Sequence, residues 1–243
     1  MMLKVKKISF SYQGKAILKN ISFEVQKGHV LGLLGRTGVG KTTLLKVIKG
    51  LIDADSGEVF YKGEKILGPK DVLVAGHGEI QIVNQDFQLF EKLSIFDNIK
   101  HLLIQFEVDY QHKRTTQILK LCNLFKFKDR FPRELSGGQQ QLIAIARALA
   151  KEPELILLDE PFSHLDNISK KEVKAVLQRI KEAYQTTFVF VTHDHNEALA
   201  LSDELMVLDK GKIVQKGKPS FVFENPKNKV VAGLLGKEYL PKT

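Results

Sequence analysis

Residues 35–42 read Gly-Arg-Thr-Gly-Val-Gly-Lys-Thr, and no other stretch of the 243-residue chain limits its fold so closely. A G-x-x-x-x-G-K-T loop wrapped round a phosphate chain turns consecutive backbone N–H groups inward and leaves no room for Cβ atoms. Gly35, Gly38 and Gly40 supply that freedom. The loop follows the apolar run His29–Leu34 and precedes Thr43–Ile48, whose spacing predicts an amphipathic helix. It therefore joins a buried strand to a helix N-terminus, where unpaired N–H groups and the positive end of the helix dipole favour an anion. In such a loop Lys41 reaches the β- and γ-phosphates of a nucleotide and the Thr42 hydroxyl ligates Mg²⁺.

Two further segments handle the same chemistry. Leu155-Ile-Leu-Leu158 ends in Asp159-Glu160-Pro161, which reads as a buried parallel strand delivering carboxylates at its C-terminal edge, where ligands of such sheets bind. Asp159 suits a Mg²⁺ partner. Glu160, one residue on and expected to point the other way, can hold a water in line with the γ-phosphate and accept its proton. Acids that merely end a strand toward solvent are the alternative. Leu135-Ser-Gly-Gly-Gln139 then opens a helical pattern running from Gln139 to Ala150, again an anion-binding geometry, or else an ordinary serine cap with a glycine turn.

In this order the glycine loop, the acid pair and Leu135–Gln139 resemble the ATPase subunit of ATP-binding cassette (ABC) transporters, and the resemblance covers residues 2 to about 217. It implies an α/β fold: a P-loop NTPase (RecA-like) core with a mainly parallel central sheet, an N-terminal antiparallel β portion and an inserted α-helical subdomain. Residues 1–86 and 154–217 would form the nucleotide-binding core, 87–153 the helical subdomain and 218–243 a C-terminal helical tail, all in one ATPase domain. The resemblance adds Arg36, Thr37 and Thr43 to the nucleotide-binding loop. It makes Ser136, Gly137, Gly138 and Gln139 a signature that closes on ATP held by a second copy. The working unit is then a head-to-tail homodimer or pseudo-dimer around two ATP and Mg²⁺. Tyr12 would stack on the adenine ring, worth about 1 kcal/mol, unless it is a strand-end aromatic at a sheet edge. Gln85 would touch Mg²⁺ and water, so the metal set is Thr42, Gln85 and Asp159. Ser163 and Asp166 belong to a loop crossing the dimer interface, with His164 where small residues are commoner. His193 would contact the γ-phosphate and orient Glu160 and its water.

Composition narrows the setting. The chain carries 37 Lys and Arg against 28 Asp and Glu, a net charge of +9, and a single cysteine. The lysines are scattered, densest from Lys210 to Lys242, and show no aromatic-basic alternation. They read as a solvated surface or one near an anionic membrane, with no nucleic-acid partner expected. Cys122 reads as a core thiol in a reducing compartment. His29, His77, His101 and His112 show no ligand spacing, and His195 has no role to assign. No stretch approaches the roughly 18 apolar residues that span a bilayer. The chain is therefore expected to be cytoplasmic, and peripheral on the inner face of the membrane through separate permease subunits. By the resemblance, those subunits dock between the core and the helical insertion near Phe87, Leu89, Phe90, Leu93 and Phe96. Amphipathic helices are predicted at Ser94–Ile104 and Arg114–Leu124.

The expected function is that of an ATP-hydrolysing motor subunit. Val83–Phe90 and Val231–Gly236 look more like bacterial importers, which also use a solute-binding protein, than like exporters. An efflux ATPase or a non-transport relative acting on nucleic acid or the ribosome is the alternative. Gly68–Gly78 departs from the usual importer spacer and leaves the solute open.

Overall fold

The computed structural model describes residues 1–239; the end of the expected C-terminal tail, residues 240–243, lies outside them. Two sheets organise the chain. The first is antiparallel, in the order β2 (Lys15–Val25), β1 (Leu3–Tyr12), β4 (Ser56–Tyr61), β5 (Glu64–Lys65). The second runs β10 (Lys212–Gly217), β9 (Glu204–Asp209), β3 (Val30–Leu34), β8 (Thr187–Thr192), β7 (Leu155–Asp159), β6 (Ile80–Val83). Its five strands from β9 to β6 are parallel, and β10 is an antiparallel edge. The antiparallel N-terminal part and the mostly parallel core match the expected α/β class.

Residue order along β7 and β8 explains why both read as unbroken apolar runs. Leu155, Leu157, Val189 and Val191 face a core shared with the antiparallel sheet and with α1 (Lys41–Lys49), through Leu3, Ile8, Leu44 and Ile48. Ile156, Leu158, Phe188 and Phe190 face the opposite way. There they meet α2 (Ile95–Lys100), α3 (Val108–Leu121), α4 (Gly137–Ala148) and α5 (Asn167–Tyr184). A strand buried on both faces needs apolar side chains at every position, each contributing about 1.5–3 kcal/mol on burial. A smaller cluster, Leu34, Ala198, Val207 and Val222, packs α6 (His195–Leu201), α7 (Pro219–Glu224) and α8 (Lys229–Leu234) against the β9 side.

Several predicted bounds shift for local reasons. The pattern read as Arg114–Leu124 is a helix from Val108 to Leu121, ended by Asn123 at φ +58, a left-handed position that asparagine tolerates. The pattern at Ser94–Ile104 is α2 followed by a 3₁₀ turn at His101–Leu103, with Ser94 capping Asp97 N. Phe87, Leu89 and Phe96, expected at a docking seat, pack against the helical core, whereas Phe90 is exposed and lies edge-on to His101 and under Arg147. In Gly68–Gly78, Leu73 and Val74 are exposed. Cys122 is buried, and burial pushes its thiol up to about 12, as a core thiol requires.

Arg114 ties the helices together. Buried on α3, it donates to the Leu149 carbonyl after α4 and to the Tyr184 hydroxyl at the end of α5, each at 2.9 Å, and its guanidinium lies over the Tyr184 ring. Arg114→Leu leaves the Leu149 carbonyl without this donor. It should lower stability by about 1–3 kcal/mol, read as a lower urea midpoint with an unchanged slope.

Candidate functional site

Parallel strand order brings together residues far apart in sequence. The carboxyl ends of β3, β8, β7 and β6 lie side by side, with Leu34 opposite Thr192 and Asp159 opposite Val191. Each strand releases a candidate residue at that edge: Gly35, His193, Glu160 and Gln85. Ligands of parallel sheets bind in the crevice outside this edge. Here it opens into a cavity of about 820 Å³ lined by Thr37, Gly38, Gly40, Lys41, Thr42 and Thr43. Gln85, Glu160, Ser163 and His193 also face it, and Phe10, Tyr12 and Ile17 form an apolar wall. The volume is that of a small-molecule site.

The loop fits a phosphate chain. Gly38 and Gly40 sit at φ +78 and +106, and a Cβ on Gly40 would come within 2.9 Å of Ile17. No side chain caps α1 and no acid stands in its first turn, so its N-terminal field is directed at the cavity uncompensated. Gly35 corrects the expectation. Its φ is ordinary, and the need is for space, since a Cβ would lie 2.7 Å from the Leu208 carbonyl of β9. Arg36 is exposed and outside the cavity lining, contributing only its carbonyl to Lys41 at 3.2 Å.

The acid pair differs from the alternation expected of a strand. Asp159 accepts from the Thr42 hydroxyl at 3.0 Å, and burial raises its pKa above the usual carboxylate range against the opposing pull of Thr42 and Lys41. Glu160 leaves the strand at φ +50, so it turns toward the same loop instead of away from it. One carboxylate oxygen pairs with Lys41 Nζ at 3.0 Å, the other with His193 Nδ1 at 2.7 Å. Lys41 is only 5% exposed and donates also to Gly35 O at 2.9 Å, so the buried ammonium is fully partnered. Thr42, Gln85 and Asp159 offer the oxygen donors that suit Mg²⁺. Among the described residues no group of three or more His, Cys, Asp or Glu is placed to hold a metal ion by itself, and Mg²⁺ typically completes its shell with water and phosphate oxygens.

The remaining predicted residues stand apart. Ser136 caps α4, accepting from Gln139 N at 3.3 Å while Gln139 Oε1 accepts from Ser136 N at 3.1 Å. Ser136 and Gly137 are exposed, and none of Ser136–Gln139 lines the cavity of its own chain. Gly138 is needed for packing, because a Cβ there would meet Ser169 of α5 at 2.5 Å. Asp166 caps α5 through the N–H groups of Ile168 and Ser169, at 2.8 and 3.0 Å, which lowers its pKa. Ser163 Oγ donates to the Glu160 carbonyl at 2.9 Å. Tyr12 ends β1 beside the cavity and is 63% exposed, leaving its ring face free. Sequence reading missed Lys170 and Glu197, which also line the cavity, and left His164 unassigned; its Nε2 lies 3.3 Å from Gln85 Nε2. The motifs carry no signal for Lys170 and Glu197, whose pairing arises from helix packing.

A glycine loop feeding an uncapped helix, beside a carboxylate held between lysine and histidine, defines a nucleoside-triphosphate-hydrolysing α/β core. The family described as ABC transporter matches residues 18–163. Among solved structures, cbiO1 from Clostridium perfringens, part of the ABC transporter complex cbiONQ, shares 29% identity at a TM-score of 0.85, covering 96% of this chain and 93% of its own. MJ0796, a bacterial ABC transporter cassette solved as a dimer and in a post-hydrolysis state with ADP and Pi, shares 30% identity at a TM-score of 0.77. That match covers 90% of this chain and 99% of MJ0796. The chain belongs to the ABC transporter family and is an ATP-binding, ATP-hydrolysing cassette. Among the described residues no helix is long and apolar enough to cross a membrane.

Gly40→Ala tests the loop. The left-handed backbone costs about 1–2 kcal/mol with a Cβ, and the contact with Ile17 adds to it. Affinity for a fluorescent ATP analogue should fall about 10-fold or more while the far-ultraviolet dichroism is kept.

Proposed function

We propose that this cassette works as a head-to-tail dimer around two Mg-ATP and drives separate membrane-spanning subunits, importing a solute. The observation that carries the catalytic part is Glu160 held between Lys41 and His193 in the cavity. In this reading ATP phosphates take over the Lys41 ammonium, freeing one Glu160 oxygen to accept the proton of the attacking water. His193 orients that carboxylate and donates to the γ-phosphate. Thr42, Gln85 and Asp159 would hold Mg²⁺, which when bound neutralises phosphate charge. Gly38, Gly40, Thr37 and Thr43 surround the phosphates, and Tyr12 stacks on the adenine. Ser136, Gly137, Gly138 and Gln139 complete the site of the second copy, with Ser163 and Asp166 at the interface. Ser136 and Gly137 are exposed away from their own chain's cavity, which favours that arrangement, as does the dimeric state in which MJ0796 was solved.

Residues 1–86 and 154–217 would act as the ATP-binding core, 87–153 as the arm that carries the signature, and 218–243 as a tail. Permease docking at this arm makes the chain peripheral on the inner membrane face. Phe90 and Ile104 are exposed apolar side chains of that arm. The importer assignment rests on Val83–Phe90 and Val231–Gly236, and it includes a solute-binding protein as a further partner; the likeness to cbiO1, part of the ABC transporter complex cbiONQ, supports separate partner subunits.

With Glu160→Gln, ATP binding is kept, hydrolysis falls about 10²-fold or more, and light scattering detects a dimer only with ATP and Mg²⁺. Near-normal turnover would remove Glu160 from the role of base. Lys41→Ala should abolish ATP binding in a filter-retention assay. It also leaves Glu160 short of a partner, so a fall in melting temperature should accompany the loss.

A further inference from the structure

The His193 side chain is 57% exposed and, among the described residues, has one hydrogen-bond partner, Glu160. Packing therefore cannot fix its ring, and the backbone on either side must. The Thr192 hydroxyl helps fasten that backbone. Thr192 Oγ accepts from Asp194 N at 3.0 Å across the histidine and donates to Glu197 Oε2 at 2.6 Å. The Thr192 carbonyl accepts from Gly35 N at 3.2 Å, joining the same turn to the phosphate loop. Glu197 is buried, 5% exposed, and a lone carboxylate there would be costly. Its other oxygen accepts from Lys170 Nζ at 2.8 Å, and Lys170 lies 3.7 Å from Asp194, the cap of α6.

Lys170 stands in the first turn of α5, next to Ser169, which packs against Gly138 in the first turn of α4. One helical turn thus touches the segment that opens α4 on one side and the His193 turn on the other.

We propose that Lys170 is a positioning residue for hydrolysis: through Glu197 and Thr192 it holds His193 against Glu160. The Lys170 ammonium pairs with Glu197 and Asp194, not with Glu160 or His193, and acts through the turn it braces. The inference rests on the role given to His193 above. Arginine reaches as far and keeps the charge, whereas methionine keeps the stem and removes the ion pair.

Steady-state ATP hydrolysis by the full chain tests this with Lys170→Met, Lys170→Arg, His193→Ala and the double variant Lys170→Met/His193→Ala. Lys170→Met should lower kcat about 10-fold with KM for ATP changed less than about two-fold, and Lys170→Arg should recover most of it. In the His193→Ala background Lys170→Met should cost nothing further, because the group it positions is gone. A merely structural ion pair would lower both backgrounds equally, and that result, or an unchanged kcat, overturns the proposal. If His193→Ala itself hydrolyses ATP normally, the role of His193 falls and this inference with it. If His193→Ala is slow and Lys170→Met is not, only the inference falls. Lys170→Met/Glu197→Gln, which removes the buried Glu197 charge together with its Lys170 partner, is measured in parallel. Should Lys170→Met fail to fold, this variant stands in for it alone and over His193→Ala, with the same outcomes deciding.

Discussion

The carboxylate of Glu160 joins three segments that no local rule places together. Lys41 opens the helix after β3, Glu160 ends β7, and His193 ends β8, and the glutamate pairs with both others at 3.0 and 2.7 Å. An ammonium 5% exposed is tolerated only because Glu160 and the carbonyls of Gly35 and Arg36 surround it. Removing one member of such a pair costs about 3–5 kcal/mol, far more than a surface pair is worth. The arrangement therefore keeps a carboxylate beside the glycine loop, with its two oxygens assigned to different partners.

The rest of the fold holds that contact still. β7 and β8 are buried on both faces, so their carboxyl ends cannot slide without exposing Leu157 or Phe190. Hydrogen bonds from Gly35 N to Thr192 O and from Glu160 N to Val191 O fasten the three strand ends to one another, at 3.2 and 3.1 Å. Space at Gly35 and Gly138 lets the loop approach β9 and α4 approach α5. The nucleotide cavity and the Ser136 helix end are thus two separate features of one rigid frame. In the proposed dimer that separation lets the Ser136 end of one copy meet the cavity of the other.

Much of this was legible in residue order. The glycine loop, the acid pair and Leu135–Gln139 were found by type and spacing, Gln85 and His193 through the family resemblance, and the cavity gathers the loop, Glu160, Gln85 and His193. Direction was harder. Alternation along a strand turned Glu160 away from Asp159, and only its left-handed backbone at φ +50 reverses that. Gly35 read as a conformational glycine and Gly138 as part of an anion-binding helix start, yet both have a spacing role against neighbours distant in sequence. Phe87, Leu89 and Phe96 looked like a docking face and are largely packed inward, because an apolar residue after a strand carries no mark of which surface will claim it.

By itself the sequence determined the chemistry: a loop that only glycines can wrap round phosphates, a lysine and hydroxyl at its end, and acids delivered by apolar runs that must be buried. Each follows from backbone sterics and hydrophobic periodicity, which act over a few residues. Tertiary structure alone decided that β8 lies between β3 and β7, that Glu160 meets Lys41 and His193, and that Lys170 meets Glu197. Strand order and helix packing are set by the joint burial of many side chains, and no single segment carries that information.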